Sequence, residues 1–346
     1  MTRKFYVLYF TYEGFNVESY PGDLRARGYF YKEVIMDKFF MTTNSQMQLL
    51  RSRGLHISGS SDKKILEKEN YYNLINGYKS LFIDKSYHGS NEKYKSGAKF
   101  RELYALFSFD RELRSLFLRY ILEIENNIRS VIAHDFSKKY GHDNYLKIKN
   151  FDVNQTNLGD IADLIATLQR DIANQIRKKN PMIMHYIITY GYVPPWVLVN
   201  IITLGTISMF YSFLKQKDQN DIGKHFKIMP HEMKTYVKNL TLARNWCAHD
   251  VRFYNKRFRT RIAANKIHLK LGLPTSKPGQ YTKGIDDVFS TVIIMKQLLS
   301  KRVFNKFLSS LKQLLNLLSG NLSTISIRDV EEELGFPHNW LQIKDI

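Results

Sequence analysis

Two six-residue segments of this sequence carry residue types that can bind a phosphate and move a proton. They are RSVIAH, residues 129–134, and RNWCAH, residues 244–249, and both have the order Arg, small polar, two apolar, Ala, His. At about 100° per helical residue, the arginine, the polar residue, the alanine and the histidine share one arc of a helix, backed by the two apolar residues. The alanine leaves open space between the cationic groups, as a phosphate pocket requires.

Arginine and histidine in this arrangement suit the cleavage of RNA without a metal ion. Arg129 and Arg244 would supply permanent charge and forked donors that fit phosphate oxygens. Histidine can move a proton in either direction near neutral pH, so of His134 and His249 one could take the proton of a ribose 2′-OH while the other protonates the leaving 5′ oxygen. This requires the two pairs to face each other across a helix–helix cleft, where the arginines would stabilise the phosphorane. DNA lacks the 2′-OH and would not be cut.

A structural interpretation of the same residues stays open, since an Arg-x4-His match is frequent by chance. The arginine would then cap a helix and the histidine would be a satisfied core residue. Glu125 lies four residues before Arg129, so it either orients that arginine for function or stabilises the helix. Cys247 is the only cysteine, which excludes an internal disulfide and a cysteine-built zinc site. It falls on a different helix face from His249 and is expected to be buried.

The charge balance favours a polyanionic partner. The 346 residues contain 52 Lys and Arg against 32 Asp and Glu, a net charge of +20, while 44% hydrophobic residues indicate a globular protein. Residues 251–284 hold nine Lys and Arg and no acid, with three aromatic residues interleaved, Phe253, Tyr254 and Phe258. This basic track suits an RNA backbone with stacked bases, although a solvated face with its aromatics in the core fits as well. The candidate RNA-binding residues are Arg252, Lys256, Arg257, Arg259 and Arg261.

Apolar periodicity predicts an all-α multi-helix bundle. A long helix is expected over Phe100–Gly141, another over Lys63–Phe82, and a further one carrying Ile161, Leu164 and Leu168. Tyr71, Tyr72 and Tyr78 are expected to pack in the core more than to stack on RNA. The stretch Pro195–Leu214 has 20 residues without a charge, but its Asn, Thr, Ser and Gly residues favour a helix buried on all sides of a bundle over a membrane span.

The predicted organisation is one helical domain after an N-terminal extension. Residues 1–36 are rich in Tyr and Phe and contain a YPGD turn; they are either a loose arm or a mis-assigned start, with Met36 or Met41 as alternatives. The domain, 37–346, is expected to contain N-terminal helices in 37–85, the first Arg–His region in 98–141, the buried helix and second Arg–His region in 180–270, and C-terminal helices in 285–346.

Several sequence blocks occur in the order of a known family. They are QMQLLRSRGL, NYYNLINGY, EIENNIRSVIAHDFSKKYG, YVPPWVLVNIITLGTISMFYSFL, LARNWCAHD and LGFPHNW. With RNWCAHD, these blocks resemble the HEPN domains of Abi-type (AbiD/AbiF-like) abortive-infection proteins, from about residue 42 onward. The resemblance implies an all-α HEPN-like fold and a metal-independent endoribonuclease toxin of anti-phage defence.

The resemblance also assigns roles residue by residue. Arg244, Asn245 and His249 match the HEPN ribonuclease pattern, whereas Arg129 and His134 match it more loosely, with serine at the polar position. The two segments would form one site within the chain or act across a homodimer. An RNA substrate is expected, with a small non-coding RNA or an antitoxin as further candidate partners. No cofactor, metal site or membrane partner is expected, and the location would be cytoplasmic. The alternatives are a non-catalytic RNA-binding protein of a defence or toxin–antitoxin system and a helical scaffold that senses a phage component.

Overall fold

The computed structural model describes the backbone of residues 6–11 and 14–19 and the whole of residues 40–89 and 91–346. The chain divides into two compact units, Met1–Thr42 and Thr43–Ile346. In the first unit, β1 (Tyr6–Thr11) and β2 (Gly14–Ser19) pair as an antiparallel hairpin. The predicted YPGD turn and the remainder of the predicted extension lie outside the described residues.

The second unit is an all-α bundle, which confirms the predicted fold class. One short ribbon, β3 (Thr275–Lys277) with β4 (Gln280–Tyr281), is its only pair of strands within the described chain. A π-helical turn (Tyr72–Asn76) and short 3-10 turns connect several helices. The α-helices are α1 (Thr43–Ser52), α2 (Gly59–Lys68), α3 (Phe100–Tyr140), α4 (Leu158–Arg177), α5 (Pro181–Tyr190), α6 (Pro195–Leu198), α7 (Leu204–Phe213), α8 (Gln216–Phe226), α9 (Pro230–Ala248), α10 (Lys266–Lys270), α11 (Val288–Leu298), α12 (Lys301–Ser319) and α13 (Ile327–Leu334).

Helix α3 is the central element of the bundle. It is 41 residues long and packs against α6, α8, α9, α11 and α12. The predicted stripe on this helix is buried, and Gly141 ends it with a φ of 85°, a conformation that glycine adopts without a Cβ clash. The long helix is therefore confirmed. Its buried stripe consists of Leu113, Phe117, Ile121, Ile124 and Ile128.

The helix predicted over Lys63–Phe82 is wrong in its extent. Helix α2 ends at Lys68, and the chain restarts in the π-helical turn because the Asn70 side chain accepts a hydrogen bond from the backbone N–H of Asn73. The new direction turns Tyr78 into the core, as expected for that tyrosine, but leaves Tyr72 exposed. Periodicity alone does not reveal such a local side-chain cap.

The prediction of one fully buried helix over Pro195–Leu214 is also wrong. The stretch forms α6 and α7, and the break lies before α7 because the Thr203 hydroxyl accepts from the backbone N–H of Thr206 and starts a new helix. Trp196 of α6 is 49% exposed and Met209 of α7 is 42% exposed, so each helix has a face in contact with solvent and neither is buried on all sides. Among the described residues, no helix combines the length and the apolar character that crossing a membrane requires.

A buried carboxyl at the start of α11 makes stability depend on pH. Asp287 accepts hydrogen bonds from the backbone N–H groups of Gly284 (2.8 Å) and Ser290 (2.9 Å), and burial raises its pKa to about 6. An unfolded aspartate titrates near pH 3.9, so the folded state alone holds this proton between about pH 4 and 6. Stability is therefore lost as pH rises through this window.

We expect Asp287→Asn to remove this contribution, because asparagine keeps the shape and does not titrate. Relative to the unaltered protein, the variant should gain stability as pH rises from about 4 to about 6. Urea unfolding across that range measures the difference. Two parallel stability curves would contradict the assignment, and Asp286→Asn on the more exposed neighbouring residue is the matched control.

Candidate active site

The two Arg–His segments lie on helices that pack against each other in an antiparallel pair. Arg244 of α9 approaches Glu125 of α3, with 3.8 Å between Nε and Oε2. Six residues further along, Asp250 forms an ion pair with Arg114 of α3. The contact partners on α3 have lower residue numbers as the residue numbers on α9 rise, so the two helices are antiparallel. Residues after Arg244 therefore lie toward the N-terminal half of α3.

Both motif arginines converge on one buried carboxylate. Glu125 is 5% exposed; Arg129 donates to its Oε1 atom, and Arg244 lies beside Oε2. Arg129 also donates to the carbonyl of Val199, which fixes its guanidinium against the end of α6. Two arginines with one carboxylate leave one excess positive charge. The Nε atoms of both arginines and Oε2 of Glu125 are buried without a hydrogen bond among the described residues. An anion or a water molecule would complete this cluster.

His249 lies just beyond the last residue of α9 and is exposed. Its backbone N–H donates to the carbonyl of Asn245 (3.0 Å), and Asp250 then turns the chain with a φ of 53°. Within the described part of the chain, the imidazole of His249 has no hydrogen bond or ion pair. The imidazole is therefore accessible to a ligand bound at the end of α9. Asn245 is exposed one turn before it.

The structure does not bring His134 and His249 together. His134 lies nine residues beyond Glu125 on α3, whereas His249 lies five residues beyond Arg244 in the opposite direction. At 1.5 Å per residue, their separation along the helix pair is about 20 Å. His134 instead contacts Asp135 (2.9 Å), which also contacts His225 of α8 (2.9 Å). A site in which both histidines of one chain face the same phosphate is thus not supported.

An ion network with a buried centre, Asp110 and Arg114, anchors the chain immediately after His249. Asp110 of α3 accepts from the Tyr78 hydroxyl (2.7 Å), the backbone N–H groups of Phe253 (2.9 Å) and Tyr254 (2.7 Å), and Arg114 (2.7 Å). Arg114 bridges this carboxylate to Asp250. The segment after α9 is therefore fixed to α3 at the turn residue Asp250 and again at Phe253 and Tyr254, close to His249 in the chain.

The basic side chains of the track differ in their exposure to solvent and in their contacts within the chain. Arg252 is half-buried and donates to the Gly77 carbonyl, and Lys256 lies 5.4 Å from the centre of the Trp246 ring, where burial lowers its pKa. Arg257 and Arg261 are exposed but donate to backbone carbonyls, at 2.9 Å and 3.0 Å. Arg259 is exposed and has no side-chain partner among the described residues. The track offers three exposed arginines.

The aromatic residues of the track are core residues. Phe253 and Tyr254 are fully buried, and Phe258 packs against Trp246 with 4.9 Å between ring centres. Of the two interpretations that the sequence left open for them, the one that places the aromatics in the core is confirmed, because their side chains close the core beside α9 and α3. Cys247 is buried as predicted, and burial raises the pKa of its thiol to about 12, which excludes a thiolate nucleophile near neutral pH.

Sequence reasoning missed the contact of Glu125 with Arg244 and several other contributors to this region. Glu125 contacts the second motif arginine as well as the first, and Asp110 with Arg114 anchors the turn after His249. Both pairs have an acid four residues before an arginine, a spacing visible in the sequence. The spacing predicts the pairing within α3, but it does not predict that Glu125 also contacts Arg244 or that Arg114 also contacts Asp250. Lys234 and Lys238, exposed on α9, were also missed.

The fold and the site together define a class: an all-α bundle whose central helix and its antiparallel neighbour each carry an Arg-x4-His segment. Residues 64–255 match the profile of the Abi-like protein family, which is more than half of the chain and includes both segments. The chain therefore belongs to the Abi-like family, which indicates a role in abortive-infection defence. No curated protein and no solved structure gave a match. Among the described residues, no three His, Cys, Asp or Glu side chains group as metal ligands.

Proposed function

We propose that this protein is a metal-independent endoribonuclease of abortive-infection defence. The observation that carries the proposal is the convergence of Arg129 and Arg244 on Glu125, next to the exposed Asn245 and His249. The cluster has excess positive charge and unsatisfied buried donors, which suit a phosphodiester. An unpaired histidine within one or two helical turns of it suits proton transfer.

The chain's own residues supply the base and the charge stabilisation of the proposed reaction. His249 takes the proton of the ribose 2′-OH, the 2′ oxygen attacks phosphorus, and the bond from phosphorus to the 5′ oxygen breaks. Arg244 and Arg129 stabilise the additional negative charge of the phosphorane, and Asn245 holds the substrate by hydrogen bonds. The leaving 5′ oxygen takes up a proton. The products are a 2′,3′-cyclic phosphate and a 5′-hydroxyl, so atoms and charge balance.

The proton for the leaving group comes from a second copy of the chain in this proposal. His134 of the same chain is about 20 Å away along the helices, which is too far for direct transfer. A homodimer that brings two His249 side chains to one phosphate would supply one base and one acid. The exposed position of His249 at the end of α9 permits such an approach.

The second candidate function is a non-catalytic RNA-binding protein. The separation of His134 from His249 within the chain favours it, since a single chain then lacks a paired acid and base. The same arginines would hold phosphate in this case, without cleavage. The first function predicts that the protein cleaves RNA and the second predicts that it only binds RNA, so a measurement of cleavage separates them.

We expect the purified protein to cleave mixed RNA in the presence of EDTA and to leave 2′,3′-cyclic phosphate ends. The reason is that the proposed steps use only arginine and histidine, whose charges do not depend on a metal ion. Mapping of the cut ends by phosphatase sensitivity and sequencing is the measurement. DNA of the same sequence is the control, because it lacks the 2′-OH. Activity abolished by EDTA and restored by magnesium would reject the mechanism, and RNA binding without cleavage would favour the second candidate.

A further inference from the structure

One solvent-exposed face of α9 links the candidate active site to a polar cleft. Taking Lys234 as the origin at about 100° per residue, Lys238 falls at about 40°, Asn245 at about 20° and His249 at about 60°. All four side chains are exposed. Lys234 and His249 are 15 positions apart, which corresponds to about 22 Å at 1.5 Å per residue. A strand bound at His249 can therefore extend along this face toward the lysines.

The cleft lies at the far end of this face and has a volume of about 540 Å³. Lys234 and Lys238 line one side, and neither ammonium group has an ion pair among the described residues. Asp152 and Asn154, from the segment before α4, line another side. Thr260 of the basic track also lines the cleft, and its backbone carbonyl accepts a hydrogen bond from the side chain of Asn239 of α9 (2.9 Å). The cleft thus combines two free cations with carboxylate, amide and hydroxyl groups.

We propose that this cleft binds a nucleotide of the RNA strand whose scissile phosphate lies at Arg244 and His249. The proposal rests on the proposed function and adds a substrate subsite to it. Lys234 and Lys238 hold backbone phosphates, since they are unpaired and one turn apart. Asp152 accepts hydrogen bonds from an exocyclic amine of the base, and Asn154 contacts the base edge. The substrate class is therefore single-stranded RNA long enough to reach both sites.

A second cleft, of about 670 Å³, lies between α3 and α8. Its Lys139 is paired with Asp218 and its Lys224 with Asp221 (2.7 Å), but its Lys138 and Lys217 have no ion pair among the described residues, so this cleft also offers free cations. None of its lining residues belongs to α9, so it lies off the exposed face that carries Asn245 and His249. The cleft at Lys234 and Lys238 lies on that face, so one strand can reach it from the candidate active site.

The test is the affinity of the full chain for single-stranded 2′-O-methyl RNA, which cannot be cleaved, across a salt series. Lys234→Ala with Lys238→Ala should weaken binding of long RNA and lower the slope of log affinity against log salt by about 1.4, since each single-strand phosphate contact contributes about 0.7. The effect should grow with oligonucleotide length, because a short strand at Arg244 does not reach the cleft. Lys306→Ala with Lys312→Ala, two exposed lysines on α12, removes the same charge elsewhere and is the matched control.

The outcomes separate this proposal from the proposed function. A double variant that matches the α12 control in slope and affinity overturns the cleft proposal while leaving cleavage by the unaltered protein intact. An effect of equal size on the shortest strands also overturns it, because the lysines would then act at the arginine cluster. If the unaltered protein neither binds nor cleaves RNA, the proposed function itself is wrong. Thermal melting of both double variants confirms that the fold is retained.

Discussion

We expect His249→Ala to lower the rate of RNA cleavage by about 10²- to 10⁴-fold, the usual cost of losing a positioned acid or base. The fold and RNA binding should change little, because the imidazole is exposed and makes no contact within the described chain. Arg244→Ala should lower the rate comparably and also weaken binding, since the arginine holds phosphate before the reaction. Cleavage of a defined single-stranded RNA, measured with affinity for its 2′-O-methyl analogue, separates the two effects.

Two other histidines make this experiment decisive. His231, exposed near the start of α9, is the matched control, and its replacement by alanine should leave the rate unchanged. His134→Ala tests the architecture. A near-normal rate is expected from its separation of about 20 Å from His249 within the chain. A loss as large as that from His249→Ala would show that the first segment contributes from a second copy. Full activity of the His249→Ala protein would overturn the enzyme proposal and favour the RNA-binding module.

The largest stability effect is expected at Asp110. Asp110→Ala should lower the free energy of unfolding by about 3–5 kcal/mol, the usual cost of removing one partner of a buried ion pair. Arg114 and the backbone N–H groups of Phe253 and Tyr254 would lose their acceptor in the core. Thermal and urea unfolding measure the loss. Since this network fixes the turn after His249, cleavage should fall as well.

A graded series tests this account of the Asp110 network. Tyr78→Phe removes one donor and should cost about 1 kcal/mol, because a single hydrogen bond contributes about that much. It also keeps the experiment informative if the Asp110→Ala chain does not fold. Arg111→Ala removes an exposed arginine paired with Glu69 at 3.0 Å and should cost less than about 1 kcal/mol. Equal losses at Asp110 and Arg111 would contradict the assignment of the network.

Local patterns in the sequence were sufficient for the helical class and the main helices. The stripe of α3 was predictable because each of its apolar residues follows helical spacing, and its end was predictable because Gly141 favours a left-handed conformation. The two Arg–His segments were recognisable from residue types alone, as was the burial of Cys247 on the opposite arc from His249. Helix breaks were less predictable: those before Tyr72 and before Leu204 depend on individual side-chain caps at Asn70 and Thr203.

Only the tertiary structure decided how the candidate site is assembled. The sequence fixes the position of each arginine on its own helix, but the direction in which α9 packs on α3 depends on contacts more than 100 residues apart in the chain, such as that of Arg114 with Asp250. The antiparallel arrangement joins Arg129 and Arg244 at Glu125 and separates His134 from His249. It also buries the aromatic residues of the basic track, because their burial depends on which surfaces meet and not on their spacing.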